Sequence, residues 1–111
     1  MTISKRCPTH PGKILKEHYL EPLDLDIHSA SNILGILKSK LNNILQEQEE
    51  VSPEIALRLS QAFDTTPDLW IGLQKNYDLW IAARKYEKEI KKIPKLYKAK
   101  ILNPKNHSKK Y

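Results

Sequence analysis

Two stretches of the chain repeat one pattern, a hydroxyl residue followed by proline and an acid: Ser52-Pro53-Glu54 and Thr66-Pro67-Asp68. Each marks a helix start. The hydroxyl can accept from free N–H groups, proline is pre-set for the first helical position, and the acid complements the positive end of the helix dipole. Apolar residues follow at helical spacing, Ile55, Leu59, Ala62 and Phe63 after the first start and Trp70, Leu73, Tyr77 and Trp80 after the second. The second of these helices is expected to run to about Ile90, because Pro94 is the first firm interruption. Upstream, Pro11-Gly12 leads into a helix in which Ile14, Leu15 and Leu20 face a core and which Pro22 ends. Asp26 is the expected N-cap of a further helix with Ile27, Ala30, Ile33 and Leu34 on one face, stopped by Gly35 in a left-handed C-cap. Period-two alternation is sustained nowhere, so no strands are expected. These signals define an all-α chain: a compact five-helix domain over residues 1–83, then a helix extension and a basic tail over residues 84–111.

The segment GILKSKLNNIL, residues 35–45, carries the chemistry. Leu37, Leu41, Ile44 and Leu45 stand at i, i+4, i+7 and i+8, which predicts a buried stripe, with Ser39, Asn42, Asn43 and Gln46 on the opposite face. Two short helices joined by a tight glycine-containing turn form a helix-turn-helix. Ala30 and Ser31 are small enough for a close crossing, Gly35 supplies the positive φ of the turn, and Ile36 plugs the turn into the core. On the outward face, Asn42 and Asn43 can offer donor and acceptor together to adenine, Ser39 and Gln46 complete the row of base-reading candidates, and Lys38 and Lys40 are placed to meet phosphates. By spacing alone the same face is equally that of a small helical bundle with a solvated surface.

The formal charge of +6 is unevenly spread. Residues 1–83 hold 8 Lys+Arg against 11 Asp+Glu, while residues 84–111 hold 11 against 2, so the positive excess lies wholly in the last quarter. That region either touches phosphate backbones without sequence preference or serves as a partly disordered, solubilising tail. Other classes are disfavoured. No apolar run approaches the roughly 18 residues needed to span a bilayer, and the first residues lack the apolar core of a secretory signal, so a cytoplasmic protein is expected. Tyr86, Ile90 and Ile93 among lysines make too thin an apolar face for a membrane-surface helix. Cys7 and His10 form one C-x-x-H pair without a second pair at zinc spacing, so no metal is expected. With three glycines, no phosphate loop and no nucleophile–base motif, neither catalysis nor a cofactor is expected.

The stretches HPGKILKEHYLEPLDL, LGILKSKLNNIL and VSPEIALRLSQAFDTTPDLWIGLQKNYDLW resemble the HigA-type antitoxins, compact members of the phage-repressor-like (Cro-type, XRE-type) helix-turn-helix group. The resemblance spans residues 10 to about 84, and SPEIALRLSQAF and TPDLWIGLQKNYDLW are its most distinctive parts. It implies a bacterial protein that neutralises a small, basic mRNA-cleaving toxin of the RelE-like kind and represses its own operon on double-stranded operator DNA as a dimer. The toxin-binding surface is left open between residues 1–10 and the basic tail. Family members usually carry Gln near the start of the second helix, Ser at the start of the third, and an Asn-Gly-Lys/Arg-rich loop after it. Here Ile27, Leu37 and Gln46-Glu47-Gln48-Glu49-Glu50 occupy those places, and the glutamates repel phosphate.

A palindromic operator calls for two recognition helices about 34 Å apart, hence two copies. Trp70 and Leu73 are assigned to the monomer core, and Tyr77, Trp80 and Ile81 are the candidates for the dimer interface. The rival reading is a stand-alone helix-turn-helix transcriptional regulator with no toxin partner.

Overall fold

The computed structural model describes residues 5–97, and among these the chain forms six helices and no strand. The tail expected beyond residue 97 and the first four residues lie outside the described residues. Helix α1, Pro11–Ile14, continues without a break as a π-helical segment, Leu15–Leu20. Its bonds reach five residues back, as from Glu21 N–H to Lys16 O at 2.9 Å. The wider turn has a packing consequence. In a regular α-helix, residues five apart diverge by about 140°, whereas here Leu15 and Leu20 are both buried in one core.

The capping signals produce the helix starts read from the sequence. Asp26 Oδ1 accepts from Ser29 N–H at 2.7 Å and opens α2, Ile27–Leu34. Ser52 Oγ accepts from Ile55 N–H at 3.3 Å and opens α4, Pro53–Phe63. Thr66 Oγ1 accepts from Leu69 N–H at 3.2 Å and opens α5, Pro67–Lys85. Between α2 and α4 lies α3, Lys38–Leu45. The last helix is shorter than expected: α5 breaks at Tyr86, where φ −107° and ψ 17° leave the helical region, and α6, Glu87–Lys91, follows as a separate exposed piece.

The core gathers Leu15, Leu20, Ala30, Leu34, Ile36, Leu41, Ile44, Val51, Ile55, Ala56, Leu59 and Trp70. Trp70 is its largest member; its ring lies 5.5 Å from that of Tyr19, and its indole N–H is satisfied by Thr65 Oγ1 at 2.8 Å. Truncating a fully buried leucine such as Leu41 or Leu59 to alanine should cost about 2–5 kcal/mol, because a packed interior closes only part of the cavity.

Three residues expected in the core are not there. Ile33 is 63% exposed, since it lies about 80° from the midline of Ala30 and Leu34 and borders an open groove with Leu57 and Gln61. Leu37 is 75% exposed, because it precedes the first helical residue with φ −53° and ψ 136° and so stands off the helical stripe. Ala62 is exposed, because it lies on the Ile55 edge of the α4 stripe, away from the side of Ala56, Leu59 and Phe63 that is covered.

His10 joins two elements. Its Nδ1 accepts from Gly12 N–H at 2.9 Å and caps α1, and its ring meets Tyr77 of α5 edge-on at 4.8 Å. Burial pushes the imidazole below its ordinary value of 6.5, against the smaller opposing pull of the Glu47 and Asp78 carboxylates. The folded chain therefore binds this proton less readily than the unfolded chain, so stability from this site is full above pH 6.5 and falls as the pH drops toward the depressed value. Protonation at Nδ1 also removes the acceptor that caps α1. Urea-unfolding midpoints should decline from pH 7.5 to pH 5, and His10→Asn, which keeps a capping acceptor without a titrating ring, should flatten that decline. An equal decline in both chains would refute the assignment.

Candidate nucleic-acid interface

Helices α2 and α3 are joined by Gly35, Ile36 and Leu37, and the turn is held from four sides. Gly35 takes φ +68°, and a Cβ there would stand 2.7 Å from Arg58 Nη1. Arg58 of α4 donates to the Leu34 carbonyl at 3.1 Å, and its guanidinium is steadied by Glu54 at 3.0 Å. Ser31 Oγ donates to the Ile36 carbonyl at 2.5 Å, and Ile36 itself is buried. The far end of α3 is fixed by α1: a Cβ on Gly12 would lie 1.9 Å from the Ile44 carbonyl oxygen, so only glycine permits this approach.

With Leu41 and Ile44 wholly buried and Leu45 half-buried, the rest of α3 faces outward. Lys38, Ser39, Asn42 and Gln46 are exposed, and Asn43 is half-buried. This is the row read from the sequence. Lys40 is half-buried and its ammonium is paired with Glu49, to whose other oxygen Asn43 Nδ2 donates at 3.5 Å. The Glu49 hydrogen bond and charge raise the Lys40 pKa, and the Lys40 hydrogen bond depresses that of Glu49. Both groups stay ionised at neutral pH. Glu47 holds φ +62°, the left-handed conformation glycine adopts without steric cost, so the turn after α3 keeps a glycine-like shape with an acid in place.

The proposed dimer residues divide. Tyr77 is turned onto His10 within its own chain, and Trp80 carries the Arg84 guanidinium at 4.0 Å from its ring centroid, with Arg84 also donating to the Lys5 carbonyl at 2.9 Å. Ile81 remains 40% exposed. Nearby, Val51, Pro53, Ile71, Leu79 and Ala82 line a largely apolar groove of about 540 Å³ between the start of α4 and α5. Gln74 braces its floor, accepting from Val51 N–H at 2.8 Å and donating to Asp78 at 2.9 Å. Sequence reading missed Arg58, Gln74 and the Lys40–Glu49 pair; the i,i+4 spacing of Glu54 and Arg58 was the one local signal among them. Cys7 is exposed and His10 buried, and no group of three or more metal-ligating side chains occurs among the described residues.

A glycine turn between two crossed helices, with one stripe of the second buried and amides along the other, defines a helix-turn-helix protein. No family model matches the chain. An uncharacterised helix-turn-helix transcriptional regulator from Haemophilus influenzae is 41% identical over 75 residues, 68% of this chain and 70% of the relative. The solved structure of Pseudomonas aeruginosa antitoxin HigA with the higBA promoter superposes with a TM-score of 0.77 at 33% identity, over 81% of this chain and 99% of that one. Antitoxin GraA in complex with its operator gives a TM-score of 0.79 at 35% identity, over 88% and 99%. The chain belongs to the HigA-type antitoxin family of XRE-like helix-turn-helix proteins.

Glu49 occupies the Lys40 ammonium. Glu49→Gln should free Lys40, tighten binding to duplex DNA, and steepen the log–log salt dependence by up to about one unit, the increment for one added phosphate contact. Salt titrations of both chains against one duplex would measure this, and an unchanged slope would mean that Lys40 reaches no phosphate even when unpaired.

Proposed function

We propose that this chain is the antitoxin of a bacterial toxin–antitoxin pair, that it neutralises a small basic mRNA-cleaving toxin, and that it represses its own operon as a dimer. The observation that carries the DNA half of this reading is the outward row Ser39, Asn42, Asn43 and Gln46 on a firmly seated α3, in a chain that shares its fold with an antitoxin solved on its operator. In this reading α3 lies in the major groove, the amides and hydroxyl face base edges, and Lys38 and Lys40 face phosphates, with Lys40 exchanging Glu49 for DNA. The chain binds and carries out no catalytic step. A second copy related by two-fold symmetry presents the second α3 about 34 Å away, one turn of the duplex. The exposed Ile81, and separately the apolar groove along α5 lined by Val51, Ile71, Leu79 and Ala82, offer apolar surface for that copy.

The toxin half rests on family membership, supported by relatives that include antitoxins. A second reading, a stand-alone regulator, is favoured by the Haemophilus influenzae relative, whose name is that of a transcriptional regulator.

The DNA reading is tested with the purified chain, its own upstream DNA and an unrelated duplex at two salt concentrations. Preferential binding to the upstream DNA, protecting two half-sites, is expected. Asn42→Ala/Asn43→Ala should weaken that preference at least about tenfold, since a bidentate amide–adenine pair discriminates by about 1–3 kcal/mol. Equal, salt-sensitive binding to both duplexes, unchanged in the variant, would remove α3 from base readout. The toxin reading is tested by co-expression with the product of a small adjoining reading frame. Growth arrest by that product alone, relieved by this chain in a stable complex, is the expected result; the absence of such a frame would favour the stand-alone regulator.

A further inference from the structure

Helices α1, α2, α4 and α5 begin with side-chain caps from His10, Asp26, Ser52 and Thr66. Helix α3 does not. Its N-cap is Leu37, which makes no side-chain capping bond, although Ser, Thr, Asp or Asn is the favoured residue there. The same leucine is 75% exposed, more than any other large apolar residue described. An uncapped helix start and a leucine held in water both work against folding, and both arise at one position, on the helix whose outer face carries the amides.

The setting of Leu37 bears on what could cover it. It leads directly into Lys38 and Ser39, both exposed, so its immediate chain neighbours on α3 are a cation and a hydrogen-bonding hydroxyl. It also stands at the N-terminal end of α3, the end whose residues contact base edges when a helix-turn-helix docks. The major-groove surface offers an apolar group of its own, the C5-methyl of thymine. We propose that Leu37 is a specificity-determining residue that packs on a thymine methyl in each operator half-site. This inference rests on α3 docking in the major groove. It adds a readout that amides cannot supply, because the methyl distinguishes thymine by shape and hydrophobicity rather than by hydrogen bonding.

The test uses the full chain and a duplex carrying the protected upstream half-sites, with each thymine replaced in turn by uracil, which lacks only the methyl. One thymine per half-site should respond, the uracil duplex binding wild type about fourfold more weakly, the factor for one buried methyl-sized group. Leu37→Ser should bind the thymine duplex more weakly and should not distinguish thymine from uracil at that position. Because serine can cap α3, this variant should melt at the same temperature as wild type or higher, which separates lost contact from lost fold. If wild type prefers its upstream DNA but no uracil substitution couples to Leu37, the thymine assignment is overturned while the DNA reading stands. If wild type shows no preference among duplexes, the DNA reading fails and takes this inference with it.

Discussion

The approach of α1 to the end of α3 is the contact on which the rest of the molecule depends. At Gly12 the backbone comes so close to the Ile44 carbonyl that a methyl group would overlap it, and this proximity locks the C-terminal end of α3 to the first helix. Arg58 and Gly35 hold the opposite end through the turn. With both ends fixed and Leu41 and Ile44 buried between them, α3 can neither roll nor slide by a fraction of a turn without breaking packed contacts. Its amide row is therefore presented on a rigid support. Direct readout requires this, because a hydrogen bond to a base edge tolerates only a few tenths of an ångström.

The electrostatics of that face are muted. Lys38 and Lys40 stand among Glu47, Glu49 and Glu50, and Lys40 is already paired with Glu49. The Coulomb attraction that drives non-specific DNA association is thereby reduced where the helix would dock, while the amides of Asn42 and Gln46 stay exposed. Docked as proposed, such a surface favours the right sequence over any sequence. The chain's positive excess lies instead in residues 84–111, apart in sequence from the amide row.

His10 and Gln74 show how the scaffold communicates with that face. His10 caps α1, beside Gly12 and Ile44, and carries Tyr77 of α5 on its ring. Gln74 ties α5 to the loop that follows α3 through Val51. Both are buried polar groups with satisfied bonds, which fix the relative placement of helices more sharply than apolar contacts, since a displaced donor is left unpaired at a cost of about 1–3 kcal/mol.

The residues that cap and stop the helices act within three or four positions of themselves, so Asp26, Gly35, Ser52 and Thr66 could be read from the sequence and the helices begin where these residues place them. The helical period likewise identified Leu41, Ile44, Ile55, Leu59 and Trp70 as core and Ser39, Asn42, Asn43 and Gln46 as the outer row. Periodicity tells which residues share a face, but not how much of that face a neighbouring helix covers. Ile33, Leu37 and Ala62 accordingly ended outside the core, and Tyr77 turned inward onto His10. Arg58 on Leu34 and Gln74 on Val51 join positions more than twenty residues apart. The sequence by itself determined the helices, the glycine turn and the chemistry of the exposed row; only the tertiary structure decided which lysine is paired, which leucine stands in water and what fixes α3, because those depend on distances between segments that no local pattern encodes.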